Sequence, residues 1–191
     1  GDVMGRVLEI EEVNPSFDYR FHDGKSVKFS NLSRKKTLAA ISESLGEDAA
    51  REWDEVMLRA EAMWDVSRGP FVESELKSIR SLIAKKGFLK DLRVISPLTS
   101  LRSLTSKYTK NPYLSKIIDR YATYSGSDPR KVPAVLLTIA FVESSFGAWH
   151  IKGGIGQLSI ALEERCRTLG VKFELNSPVT SITHEGKRAT G

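Results

Sequence analysis

The sequence predicts an α+β fold: a mostly helical body, a β-hairpin near the amino terminus and a strand pair at the carboxy terminus. Three observations lead there. In segment after segment between residues 35 and 169, apolar side chains recur at three- and four-residue steps, which gathers them on one face of a helix. Asp23-Gly24 stands between two short apolar pieces, Tyr19–Phe21 and Val27–Phe29, and Asp-Gly between such pieces is a strong hairpin signal. Val171, Phe173 and Leu175 alternate with polar residues, and Val179 and Ile182 carry a second extended piece toward a Glu185-Gly186 turn.

Taken in order, Val7–Val13 is rich in apolar and β-branched residues and reads as a strand that precedes the hairpin. Asn31 or Ser33 is placed to cap a helix over residues 35–44. After Gly46, the residues Trp53, Met57, Ala60 and Trp64 share a face of a long helix expected to end before Gly69-Pro70. Leu76, Ile79, Leu82 and Ile83 face one side of another, stopped near Gly87. Pro97 opens a helix carrying Leu98, Leu101, Leu104 and Tyr108. Pro112 opens one carrying Leu114, Ile117, Ile118 and Tyr121, broken by Gly126–Pro129. The run from Val132 to Val142 is apolar on all sides and predicts a buried helix. Gly153, Gly154 and Gly156 make a glycine-rich turn. A helix comes next from about Ile155, with Ile155, Leu158, Leu162, Cys166 and Leu169 on one face, and Gly170 ends it.

Composition excludes several classes. With 40% hydrophobic and 28% charged residues in 191, the chain can bury a real core and resembles ordinary globular proteins rather than disordered ones. Cys166 is the single cysteine, which rules out an internal disulfide framework and a cysteine-rich metal site. His22, His150 and His184 are scattered without ligand spacing, so no metal is expected. The longest apolar run, Pro133–Val142, is too short to span a bilayer. No secretory signal pattern opens the chain, and a cytoplasmic location is expected. The strand-like opening and the stop soon after a strand suggest an internal segment of a longer protein.

A glycine loop that opens a helix can bring bare backbone close to a phosphate or a flat ring. It can equally be a tight turn feeding a packed helix. The pattern is not GxGxxG and no strand runs directly into it, so the dinucleotide fingerprint is not met. The wider order is more specific. RYATYSGSDP at Arg120–Pro129 is followed by an apolar helix, Glu143, GxW at Gly147–Trp149, the basic Lys152 and the glycine pair. A helix, a strand and V-x-x-I at Val179–Ile182 come next. This resembles the bacterial-type phytoene (carotenoid) desaturases, members of the FAD-dependent amine-oxidase-like flavoproteins. The likeness is specific between Pro112 and Ile182 and looser upstream, where YRFHDGKSVKF at Tyr19–Phe29 matches a strand, a DG turn and a strand.

The resemblance implies a segment of an FAD-dependent oxidoreductase that dehydrogenates an apolar polyene. Residues 1–150 would form the substrate-side lobe, and residues 151–191 the glycine loop, helix and strands leading back to an FAD-binding domain. FAD is expected in the complete enzyme and not in this segment alone, which should be inactive. Gly153 and Gly154 match the glycine pair that approaches the flavin, Lys152 the basic residue before it, and Val179 the strand that re-enters the FAD domain. Arg120 and Trp149 become candidates for contact with substrate. Glu143, at the end of an apolar helix, is a conceivable acid or base, with a structural ion pair as the alternative. Asp91 and Arg93, in LKDLRVISP, are an acid and a base that would assist proton loss. Asp128-Pro129 reads as the cap of the next helix, and Cys166 as inert core.

Charge is unevenly spread. Lys77 to Lys110 holds nine basic residues and one acid, a local +8 against +5 for the whole chain. Basic residues interleaved with Leu82, Ile83, Phe88, Leu89, Ile95, Leu98 and Leu101 suit peripheral contact with an anionic membrane. A solvated face is the plain alternative. The same charge motivates a second class, a non-catalytic helical domain that binds nucleic acid or a protein. No helix-turn-helix, RRM or zinc pattern supports that class, and nucleic acid is not the expected partner.

Overall fold

The computed structural model describes residues 8–75 and 87–191, apart from the side chains of Phe88 and Leu89. Val7, the helix expected over Leu76–Ile83, and Lys77, Arg80, Lys85 and Lys86 lie outside the described residues. The chain divides into two compact units, one made of Glu12–Trp149 and one made of the segments on either side of it.

In the larger unit the hairpin forms as its turn chemistry dictates. β2 (Phe17–Arg20) and β3 (Ser26–Phe29) follow the short β1 (Ile10–Glu12) and pair antiparallel, with Phe17 opposite Phe29 and Tyr19 opposite Val27. Strand alternation puts these four on one face, where Val27 and Phe29 are buried and Phe17 and Tyr19 pack against them. Gly24, at φ +85°, closes the turn. α1 (Arg34–Leu45) starts from Ser33, whose hydroxyl accepts from the Lys36 amide. α2 (Glu47–Phe71) begins at once after Gly46, with Glu47 and Asp48 favourably placed at the positive end of its dipole.

α2 is the axis of this unit. Ala49, Trp53, Val56, Met57, Ala60, Met63 and Ser67 are buried along it at helical spacing. α1, α3 (Phe88–Ile95) and α6 (Thr138–Phe146) pack against it. The Phe29 and Trp53 rings lie 5.0 Å apart and join the hairpin to it. The helix continues through Gly69-Pro70 instead of stopping before them. Proline in a last turn forfeits one backbone bond where the ladder is ending anyway, and the Val72 amide still reaches the Arg68 carbonyl at 2.9 Å.

Two further helices differ from expectation near prolines. Pro97 lies in a turn with Leu98 fully exposed, and α4 (Leu101–Thr105) starts later, capped by Ser100. The buried run opens extended at Val132-Pro133, as a residue before proline prefers. The Leu101 amide donates to the Val132 carbonyl at 2.9 Å and the Ala134 amide to the Thr99 carbonyl at 2.8 Å. A 3-10 turn, Ala134–Leu137, then leads into α6. Between them, α5 (Pro112–Asp119) is capped by Asn111, and a 3-10 helix, Arg120–Ser125, carries it to Gly126 at φ +60°.

In the smaller unit β1 pairs with β4 (Trp149–Ile151). α7 (Gly156–Thr168) ends at Gly170, φ +84°. Its covered side centres on Ala161, while Ile155, Leu162 and Leu169 are exposed. Of the apolar face read from periodicity, Leu158 and Cys166 are half-buried, so this unit covers only part of it. Residues 171–182 form no strand. Alternation needs a neighbouring strand to take the backbone N–H and C=O groups, and none is present there among the described residues. The strand pair comes later, β5 (His184–Glu185) against β6 (Arg188–Ala189) around Gly186.

Candidate functional site

The polar residues of the RYATYSGSDP stretch converge with the end of α6. The Arg120 guanidinium donates to Glu143 Oε2 at 2.8 Å, and the Tyr124 hydroxyl donates to Oε1. Both carboxylate oxygens are thus occupied. The guanidinium carbon lies 4.7 Å from the ring centres of Phe17 and Tyr121 and 5.7 Å from those of Tyr19 and Tyr124. An ion pair ringed by four aromatic faces is held by charge, hydrogen bonds and cation–π attraction together. Burial alone would lower the Arg120 pKa, but the bond to Glu143 and the surrounding tyrosines outweigh it and raise it. Burial pushes the Tyr19 phenol up to about 12 against the opposing charge of Arg120. The Tyr124 phenol is raised chiefly by its bond to Glu143. Beside Glu143 lies a cavity of about 20 Å³, lined in part by Ser16, Ser30, Thr37 and Ser144, room for one water. Arg120 and Glu143 stand out in the sequence as two separate candidates. The aromatic ring around them does not, because Phe17 and Tyr19 come from a hairpin a hundred residues away.

A second constellation fixes the turn after α6. The Asn31 side chain, buried, donates to the Ala148 carbonyl at 3.0 Å and accepts from the Ala148 amide at 2.8 Å. Ser33, not Asn31, caps α1, which leaves the Asn31 amide free for this bridge. Gly147 sits at φ +73°, ψ 175°, a region open essentially to glycine alone. A Cβ there would stand 2.9 Å from Asn31 Oδ1 and from Leu32 Cγ and Cδ2. The Trp149 indole N–H donates to the Phe146 carbonyl at 2.8 Å. Nothing in local sequence announces a contact across 117 residues, so this bridge is a structural finding.

The other candidates are not hydrogen-bond or ion-pair partners of these two groups. Gly153 and Gly154 take φ +85° and +89° and form the turn before α7. Lys152 pairs with Glu9 at 2.7 Å, both largely exposed. Val179 is exposed in a stretch without regular structure. Asp91 is half-buried and Arg93 exposed on α3, where the Arg93 carbonyl faces Arg59 at 3.5 Å. Neither is a partner of Arg120 or Glu143. Asp128 accepts from the Arg130 amide and side chain, which hold its carboxyl down at about 2. It shapes a turn rather than capping a helix. Cys166 is half-buried. Among the described residues, no group of His, Cys, Asp and Glu could hold a metal, and no helix is long and apolar enough to cross a membrane.

No protein-family model matches the chain. Curated proteins do. The chain is 29% identical over 175 residues to hydroxyneurosporene desaturase of Rubrivivax gelatinosus, covering 91% of this chain and 33% of that protein. It is 24% identical over 189 residues to phytoene desaturase of Neurospora crassa, covering 96% and 31%. This chain is similar to carotenoid desaturases. A 4,4'-diapolycopene oxygenase of Methylomonas sp is also similar, 22% identical over 189 residues, covering 99% of this chain and 38% of the oxygenase. The chain therefore spans about a third of the length of the desaturases and oxygenases it matches.

The flavin that the resemblance implies can be tested against the glycine loop. A flat ring needs backbone it can approach without a Cβ in the way. Gly154 offers that, with no atom within 4 Å of where a Cβ would stand. At Gly153 the corresponding space is taken by the Gln157 side chain, 3.3 Å away. The loop thus fits contact with one edge of a ring at Gly154. The sequence carries no GxGxxG to hold the dinucleotide phosphates.

Proposed function

We propose that this chain is the substrate-side segment of an FAD-dependent dehydrogenase acting on an apolar, carotenoid-like polyene. The observation that carries the proposal is the sequence match to desaturases of that class along 91% of the chain. The glycine turn open at Gly154 supports it, as does the set of exposed apolar residues in the smaller unit, Val171, Leu175, Val179 and Ile182 among them. Surfaces of this kind mark contact sites. Residues 1–150 would serve the substrate, and residues 151–191 would lead toward the cofactor. Gly153, Gly154, Lys152 and Val179 are the residues that would border FAD. When bound, FAD supplies the acceptor for the hydride. The chain's own residues bind an apolar molecule, exclude water from it and hold a fixed ion pair, Arg120–Glu143, in one aromatic enclosure. Asp91 and Arg93 remain the pair proposed to aid proton loss, the Asp91 carboxylate as the proton acceptor and the Arg93 guanidinium as a fixed positive charge beside it.

Peripheral contact with an anionic membrane is a further part of the proposal. The fully exposed Leu98, between Arg93 and Arg102, favours it. The experiment is expression of this chain with all that flanks it in its gene, in a host that accumulates an acyclic carotenoid. The expected result is a flavin-containing protein and a pigment with a longer conjugated system. Unchanged pigment with normal expression would sink the proposal.

A further inference from the structure

We infer that Leu32, Trp64, Phe146 and Trp149 form a rigid aromatic platform on the larger unit, and that its ligand is the conjugated chain of a polyene. This inference rests on the desaturase reading and deepens it by naming the residues that meet the substrate. Large apolar side chains are left in solvent here at a cost: Phe146 is 53% exposed, Trp149 48% and Leu32 44%. Trp64 meets Phe146 edge-on, ring centres 5.9 Å apart at 70°, and Phe141 lies behind it at 6.4 Å. Aromatic pairs with this geometry attract through the ring quadrupole and present a further face to a flat π system.

Three features separate the platform from ordinary exposed residues. Leu32 is held at φ +51°, an outlier for a bulky side chain, with its isobutyl group against Gly147. A strained residue kept in place by its surroundings and exposed to solvent points to use. The Asn31–Ala148 bridge and the indole bond to the Phe146 carbonyl then fix the backbone and the Trp149 ring before any ligand arrives. Such preorganisation lowers the entropy lost on binding. Finally, two polar groups beside the platform are already satisfied. The indole N–H has its carbonyl, and Arg68, 6.0 Å from the Trp64 ring, is paired with Glu73 at 2.6 Å. An aromatic surface whose indole N–H is already bonded and whose nearest guanidinium is already paired suits a ligand with an extended π system and no polar handle.

The probe is diphenylhexatriene, a neutral conjugated rod, read by quenching of tryptophan emission in the purified chain. Saturable quenching is expected, with displacement by an acyclic carotenoid and much less by squalane, a saturated chain of similar bulk. Phe146→Ala should weaken the triene about tenfold, the scale of one lost aromatic contact, while its circular dichroism shows the variant still folded at the assay temperature. Equal binding by the variant, or equal displacement by squalane, overturns the inference. A second measurement separates it from the reading beneath it. If the complete protein converts its carotenoid and Phe146→Ala converts it equally well, the platform is wrong and the desaturase reading stands. If the complete protein converts none while the chain still binds the triene in a Phe146-dependent way, the desaturase reading falls and the surface remains.

Discussion

Asn31→Ala is the substitution whose cost the structure defines most sharply. It removes an amide that makes two hydrogen bonds to one backbone residue, at 3.0 Å and 2.8 Å, in a buried position. Each bond contributes about 1 kcal/mol net, and leaving the Ala148 N–H and C=O unmatched adds roughly 1–3 kcal/mol if water does not reach them. A loss of about 2–5 kcal/mol is therefore expected, the lower end if water reaches Ala148, a large fraction of a stability that is typically about 5–15 kcal/mol. Urea unfolding of the purified chain, followed by tryptophan emission, measures it. Asn31→Asp is the sharper control. A carboxylate still accepts from the Ala148 amide but faces its carbonyl with no proton to give, so it should cost nearly as much as alanine. Gly147→Ala should also be severe, since its Cβ would meet Asn31 Oδ1 and Leu32 at 2.9 Å in a glycine-only conformation. The double variant Asn31→Ala with Gly147→Ala should cost less than the sum, because removing the amide relieves one of those clashes. An Asn31→Ala variant within about 0.5 kcal/mol of wild type, the range of ordinary surface changes, would refute the bridge.

The same geometry carries other expectations. Glu52 accepts from the Thr109 hydroxyl at 2.7 Å and from the amides of Lys110 and Asn111 at 3.2 Å. Burial works to raise its pKa, but these bonds outweigh it and hold the carboxyl low. Its contribution is therefore present above the unfolded carboxyl pKa and lost as pH falls through the lower folded value. Glu52→Gln should flatten that acid limb in unfolding curves, and an unaltered limb would count against the assignment. Tyr19, with its hydroxyl buried and unpartnered among the described residues, should tolerate Tyr19→Phe with little or no loss of stability. The alkaline ultraviolet titration should then lose a phenol ionising at about 12, and a loss in the range of an ordinary tyrosine instead would place Tyr19 in solvent. Arg120→Met leaves the half-buried Glu143 without its cation and should cost about 3 kcal/mol, with Arg120→Lys between it and wild type. Gly154→Ala, unopposed by any neighbour, should cost only the roughly 1–2 kcal/mol of a left-handed backbone in the chain alone, so a larger loss would mean a hidden contact.

What the sequence determined is local. Asp23-Gly24 between β-rich pieces can close only a hairpin, Pro112 after Asn111 starts a helix, and the spacing of Trp53, Met57 and Ala60 makes a buried stripe wherever that helix goes. These outcomes rest on φ/ψ preferences and periodicity, which act over a few residues. The RYATYSGSDP stretch, Glu143 and the glycine pair also stand out in sequence and point to the desaturases. Tertiary structure decided what each of them touches. It paired Arg120 with Glu143 inside rings drawn from a distant hairpin and committed Asn31 to Ala148 instead of to a helix cap. It also left residues 171–175 unpaired, although their alternation reads as a strand. The physical reason is the same in each case. Periodicity tells that a side chain has a face, but the partner covering that face is set by packing across long sequence separations, and backbone pairing requires a neighbour that local sequence does not contain.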